Sequence, residues 1–423
     1  MTAARSQAAS LWRQPDFLKL WIGQTISELG SRITRDGLPF VALLVLDATP
    51  SQMGVITAAG SLAVLLTGMP AGVWVDRLRR RPLLIAADIG RALIIASVPF
   101  AALTHQLRIE QLYLVVALNG ALMVLFDAAY EAYLPTLIDR TQLVDGNSKL
   151  QFSDSTAEVL GPGLAGFLVQ ALTAPIAMAF DALSFLASIF SLWFIRQPEA
   201  RPTAPAAQPH LWREMIDGVR YVWSDARLRA LALSGGMRSF FGNFIGVLYA
   251  LFAVRELGLG AAALGLTVAF GGVGGLWGAA VTASVTRRWG VGRTLIVAQI
   301  AASLFTFLIP LAGGSWVMAT LMLMTAQLIG DGLSTIGGIN QVSLRQAITP
   351  DHLRGRVSSS LSWLVAGIGP IGALIGGGLA EAIGPRPTLL IAAIGILLSN
   401  VWLLSSPLRH VQNHALSDGT PVV

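Results

Sequence analysis

Glu28, Arg32 and Asp36 lie in one apolar stretch and are spaced by four. On a helix that spacing places them on one face. A carboxylate in apolar surroundings can bind and release a proton near neutral pH, and an arginine beside it opposes that change. Two chemistries are therefore open to this trio, proton exchange and a self-neutralising ion-pair ladder; Arg35 adjoins them. Asp154 and Glu158 repeat the four-residue spacing, and Asp88 and Arg91 are three apart. Asp181, Arg238 and Asp331 each stand within an apolar stretch. Asp88 and Arg91 are expected to pair with each other, Asp181 to serve packing, and Asp154 to belong to an inner gate. Glu28, Asp36, Glu158 and Asp331 are candidates for proton carriage. Arg238, with Asn243 in the same stretch, is a candidate counter-ion for Glu28 or Asp36, or a contact for an anionic substrate. A Glu28–Arg238 contact made in one state only would couple protonation to conformation.

The rest of the chain sets the medium in which these charges sit. Of 423 residues, 54% are hydrophobic and 12% charged, and the mean hydropathy is +0.65. Soluble domains carry roughly 25% charged residues. The 23 acids and 29 bases present here cannot clothe a soluble surface of this length. The composition predicts an all-α polytopic membrane protein. Stretches of spanning length fall near 16–47, 51–76, 82–104, 109–135, 151–172 and 174–195. A second six fall near 228–256, 261–288, 292–313, 315–349, 356–383 and 386–407. The expected organisation is an N-terminal six-helix bundle (1–195), a cytoplasmic linker (196–227) and a C-terminal six-helix bundle (228–423). The linker opens Pro/Ala-rich, which excludes a regular helix. Its second part, HLWREMIDGVRYVWSDARLR, has aromatic and charged residues at helical spacing and predicts an amphipathic helix on the membrane face.

Lys and Arg give the orientation. With the N-terminus in the cytoplasm, inward segments hold 22 of the 29 basic residues, outward loops hold 3 and spans hold 4. Both termini are then cytoplasmic. The basic excess faces an anionic inner leaflet of membrane lipids, so no nucleic-acid partner is needed to explain it. The first twenty residues are polar and basic, without the apolar core of a signal peptide. A bacterial inner (plasma) membrane is the expected location.

The two halves repeat in the same order, offset by about 210 residues. Gly161-Pro162 lies over Gly369-Pro370, and Gly30 over Gly242. After the second span the chain reads Gly72-Val-Trp-Val-Asp76-Arg77-Leu-Arg79-Arg80-Arg81. This resembles the loop signature of the Major Facilitator Superfamily, in the position where that family carries it. Arg79 stands where many members have Gly. The second half keeps Gly278 and the basic pair Arg287-Arg288, without the acid. The runs around Asp127–Ser148, Phe180–Leu192 and Asp351–Ser359 are similar to the exporter branch that includes the enterobactin exporter and the macrolide efflux proteins. Gly161, Pro162 and Gly166 resemble the core of the antiporter motif of drug exporters, with Ala157 where an upstream glycine would stand.

The resemblance implies two six-helix bundles with a site between them near mid-membrane, alternating access, and export of amphipathic small molecules against protons. The proton gradient is then the energy source and no cofactor is expected. Gly72 would let two helices approach closely. Asp76 would accept from the start of the eleventh span at Arg354, Gly355 and Arg356, and Arg77 would meet Asp127 or Glu131; with Arg80 and Arg81 these form the expected cytoplasmic gate. A lipid or lysolipid flippase and a nutrient uptake symporter share this architecture and remain alternatives. Enzymatic readings find no support, since the five histidines lie outside or at the edges of the spans and no cysteine is present. One chain holds a complete two-bundle transporter, which fits function as a monomer.

Overall fold

The computed structural model describes residues 11–199 and 211–410. The Pro/Ala-rich part of the expected linker, 200–210, lies outside the described residues. Among the described residues every regular element is helical, and ten helical spans are long and apolar enough to cross a membrane. This is a multi-pass membrane protein. The expected count of twelve exceeds those ten by two helices, α1 (Pro15–Phe40) and α5 (Leu143–Ala171). Both are long enough to span, and both carry the ionisable groups that lower their apolarity.

The chain divides into two compact units, Met1–Leu46 with Ala63–Ala206, and Asp47–Leu62 with Ala207–Val423. Helix α2 (Pro50–Arg77) thus contributes its first half to the second unit and the remainder to the first.

The first unit also holds α3 (Arg80–Leu103), α4 (Ile109–Leu137) and α6 (Ala174–Trp193). Helix α1 packs on α5 and α6, while α3 packs on α4 and α6. The α1–α6 seam is close because Gly30 has no side chain. A Cβ there would stand 2.1 Å from Ser184 Oγ and 2.8 Å from Asp181 Oδ1. Small residues let helices meet in lipid in this way. Helix α5 starts two turns earlier than its apolarity suggests. Asp145, Gly146, Asn147 and Ser148 are turn formers by propensity, yet all are helical. Gly146 sits against Ile138, Leu11 and Phe17, and this packing overrides local preference.

The second unit contains α7 (Leu211–Ser224), α8 (Ala226–Arg255), α9 (Ala261–Trp289), α10 (Val291–Thr306) and the short α11 (Leu308–Leu311). It continues with α12 (Trp316–Thr325), α13 (Gly332–Ile348), α14 (Arg354–Ile383), α15 (Pro385–Leu398) and α16 (Val401–Leu404). Gly290 (φ 81°) joins α9 to α10, and Gly384 (φ 93°) joins α14 to α15. Such single-residue reversals favour glycine. The amphipathic run breaks at Asp225, whose carboxylate caps α8 by accepting from the N–H groups of Arg227 (2.7 Å) and Leu228 (3.2 Å). The expected single helix is therefore two. Its first part, α7, docks on α14, where Ser360 Oγ donates to the Met215 carbonyl at 3.1 Å. Between α12 and α13 a π turn, Ala326–Asp331, releases the Leu328 carbonyl, which accepts from Trp277 Nε1 of α9 at 3.0 Å.

Candidate functional site: an arginine-centred acidic cavity in the first unit

The first unit encloses a cavity of about 570 Å³, lined from α1, α3, α4 and α5. Arg32 is its centre. Its Nε donates to Glu28 Oε1 at 3.0 Å, one turn back on the same helix. Its Nη2 donates to Asp154 Oδ1 at 2.9 Å, and its Nη1 lies 3.8 Å from Glu158 Oε1. The guanidinium side chain is 12% exposed, against 35% for Glu28, 43% for Asp154 and 61% for Glu158. One half-buried cation therefore gathers three acids, of which Glu28 and Asp154 line the cavity. Helical spacing places Glu28 and Glu158 one turn from their neighbours, and the α1–α5 crossing supplies the rest.

Two expectations change here. Asp154 lies more than three turns into α5, about 16 Å from its start. It belongs to the Arg32 hub and not to a gate at the helix end; the early start of α5 is the reason. Asp36, on the same face of α1, forms no ion pair among the described residues. The next turn of α5, Pro162 to Gly166, offers it no charge.

Asp127 and Glu131 line the same cavity, as do Arg35 and Arg91. Neither acid forms an ion pair among the described residues. Gly72, Asp76 and Arg77 are exposed, and a Cβ at Gly72 would meet nothing within 4 Å. Among the described residues no helix approaches closely at Gly72. The two arginines after them are engaged differently. The N–H groups of Arg80 and Arg81 both donate to the carboxylate of Glu199, at 2.6 and 3.1 Å, and so fix the chain after α6 on the start of α3. Sequence reading missed Glu199, which follows a proline in a run that resembles a plain linker. Arg354 pairs with Asp351 at 2.9 Å and donates to the Gln346 carbonyl at 3.0 Å. Gly355 stands in open space. The carbonyl of Arg356 lies beside Gly218 of α7.

The second unit carries its own polar groups in α8, α10 and the π turn. Arg238 donates to the Gln299 carbonyl (3.5 Å) and Ser303 Oγ (3.3 Å), and no carboxylate of its unit pairs with it among the described residues. Asp331 closes the π turn and faces Gly271 of α9, where a Cβ would stand 2.5 Å from its Oδ2. It accepts no hydrogen bond among the described residues.

The family model described as transmembrane secretion effector matches residues 6–421. The chain is 28% identical to the multidrug efflux pump Tap of Mycolicibacterium fortuitum, over 88% of this chain and 92% of that one. It is 23% identical to the enterobactin exporter EntS of Citrobacter koseri, over 96% of each. Among solved structures, a bacterial homologue of the iron transporter ferroportin in its inward-facing state superposes with a TM-score of 0.73 at 20% identity, covering 93% of this chain and 98% of that one. That likeness establishes the fold.

Proposed function

Because this chain belongs to the transmembrane secretion effectors of the Major Facilitator Superfamily, a family of transporters, we propose that it exports amphipathic small molecules by alternating access, in exchange for protons. The Arg32 hub carries this reading. One guanidinium balances one carboxylate, and Glu28, Asp154 and Glu158 are three. The surplus acids can take a proton or the cationic head of an amphipathic substrate, and each occupant disfavours the other. Competition for one site is the basis of exchange. The relatives named as a multidrug efflux pump and an enterobactin exporter support a small-molecule cargo and an outward direction.

In this reading Glu28, Asp154 and Glu158 bind the exchanged cation, and Arg32 returns to them when it leaves. Asp36, Arg238 and Asp331 are the second tier of coupling groups. Asp76 and Arg77 belong to the cytoplasmic gate. The protein works as a monomer in the cytoplasmic membrane of a bacterium with both termini inside.

The test uses purified protein in liposomes with a trapped pH-sensitive dye and a panel of amphipathic cations. Substrate-evoked proton movement that is lost in Glu28→Gln and Asp154→Asn is the expected result. Substrate movement with no accompanying proton flux would remove exchange from the reading.

A further inference from the structure

Behind the cavity the first unit buries a second set of charges. Asp88 of α3 is 0% exposed, Asp181 of α6 is 1% exposed and Arg91 of α3 is 5% exposed. Arg91 is the cation that acts on both acids, yet its donors point elsewhere. Nη2 donates to Ser31 Oγ at 3.0 Å and Nε to Asn119 Oδ1 at 3.4 Å. Its plane is held by Phe185 and Phe126, with ring centroids 4.4 and 5.8 Å from Cζ. Nη1 comes no closer than 3.8 Å to Asp88. Among the described residues no donor meets either Asp88 oxygen at full hydrogen-bond geometry, and the one hydroxyl beside it is that of Ser188. Asp181 accepts one from Ser184 Oγ at 3.2 Å and has the Thr34 hydroxyl of α1 beside it.

Two buried carboxylates against one guanidinium leave a negative charge unbalanced in an apolar interior. A wholly buried carboxylate without a well-formed charge partner is among the costliest arrangements a protein holds. One proton removes the excess charge and supplies the missing donor. We propose that Asp88 and Asp181 share one exchangeable proton, forming a binding site behind the cavity that communicates with it through Arg91.

Two polar bridges join the pair to the cavity. Arg91 bonds Ser31, and both line the cavity. Ser188, the polar neighbour of Asp88, accepts from Gln24 Nε2 at 2.9 Å, and Gln24 lines the cavity too. The close approach of α1 at Gly30 seals Asp181 on its remaining side. The charged groups that face this set from its neighbours are Glu28 of α1, beside Asp181, and Asp127 of α4, beside Arg91, with Glu28, Glu131 and Arg35 acting on Asp127 in turn. While those acids are bare, their charge opposes ionisation of the pair. A cation drawn into the cavity offsets Glu28 and Asp127 and so promotes release of the proton. Binding of one then weakens binding of the other, and by linkage the effect is mutual. The transport role of the pair rests on the exchange reading given above, whereas its proton binding does not.

The experiment is infrared difference spectroscopy of the lipid-reconstituted protein stepped across neutral pH. The expected result is a carbonyl band of a buried carboxylic acid that disappears on raising pH. It should be lost in Asp88→Asn and in Asp181→Asn, and potentiometric titration should find one proton fewer in each. Asp88→Glu and Asp181→Glu keep a carboxyl and should move the band, which keeps the test valid if an asparagine variant fails to fold. A band that stays unchanged in all four variants overturns the proposal. So does a band abolished by sodium at fixed pH, which would make this a metal-cation site. Proton-driven efflux in the same preparation judges the exchange reading separately: efflux without proton flux removes exchange and leaves the band to decide the pair.

Discussion

Gly161 of α5 lies directly against Arg32 of α1: a Cβ at 161 would stand 2.5 Å from Arg32 Cβ and 3.0 Å from its Cγ. The glycine of the antiporter-like run and the charge hub are one structure. With no side chain at 161, α5 closes on α1 until Asp154 and Glu158 reach the guanidinium. The second unit repeats the arrangement with a neutral group, for Gly369 of α14 sits against Asn243 of α8, where a Cβ would stand 3.0 Å from its Nδ2. The repeat is not uniform, since Gly30 packs against α6 and its counterpart Gly242 has nothing within 4 Å.

Gly161→Ala must displace Arg32 at its stem, where backbone and side chain have little room. We expect a loss of about 1–3 kcal/mol, the usual range for overpacking, together with reduced transport. Gly369→Ala meets only the end of a rotatable Asn243 and should cost less. Thermal melting of the two variants in lipid checks the order, and a greater loss at 369 contradicts it.

Removing single acids from the hub should have graded, modest effects on stability. Glu158 is 61% exposed and 3.8 Å from Arg32, so water screens it, and Glu158→Gln should cost about 0.5 kcal/mol or less. Asp154→Asn should cost more, on the order of 1 kcal/mol, and both differences should shrink in high salt. Arg32→Ala leaves three like charges together and should exceed either. Denaturation of the four proteins at two salt concentrations gives the ranking.

Trp277→Phe removes the donor to the Leu328 carbonyl at the π turn. An accepting group left without its partner costs about 1–3 kcal/mol. Hydrogen exchange should rise first at Ala326–Asp331. Uniform change along α12 and α13 would show that the bond does not hold the turn.

Asp225 lies outside the spans. Burial pushes its carboxyl up, but the Arg227 guanidinium and the N–H groups of Arg227 and Leu228 more than offset this and hold it below its usual value of 3.8. A lowered folded value means the contribution is complete above 3.8 and fades as pH falls through the lower one. Asp225→Ala should therefore cost about 1 kcal/mol near neutral pH. The gap to wild type should close in strong acid. A gap that is constant with pH would assign the loss to packing.

The spans were legible because twenty apolar residues in a row have few other uses. The ends were less so. Asp145 to Ser148 carry the signals of a turn, and only their packing on Leu11, Phe17 and Ile138 makes them helical. Spacing showed that Glu28 and Arg32 share a face, but four-residue rules describe one helix at a time. They carry no information about which helix crosses at Arg32, so Asp154 was assigned to a gate. Three-residue spacing brings Arg91 within 3.8 Å of Asp88, yet says nothing of Ser31 and Asn119, which take its hydrogen bonds, or of Asp181, which requires α6 beside α3.

The six-residue turn Ala326–Asp331 adds a residue to its span without adding a turn. Positions before and after it are therefore out of phase by about 100° relative to an unbroken helix. Counting by fours fails across that seam, and any alignment of this span with an uninterrupted one needs a one-residue gap. A single deletion there would rotate one end of the span against the other and carry Asp331 to a different face. Few substitutions could move an intramembrane acid as far, so insertion and deletion are the changes to which this part of the transporter is most sensitive.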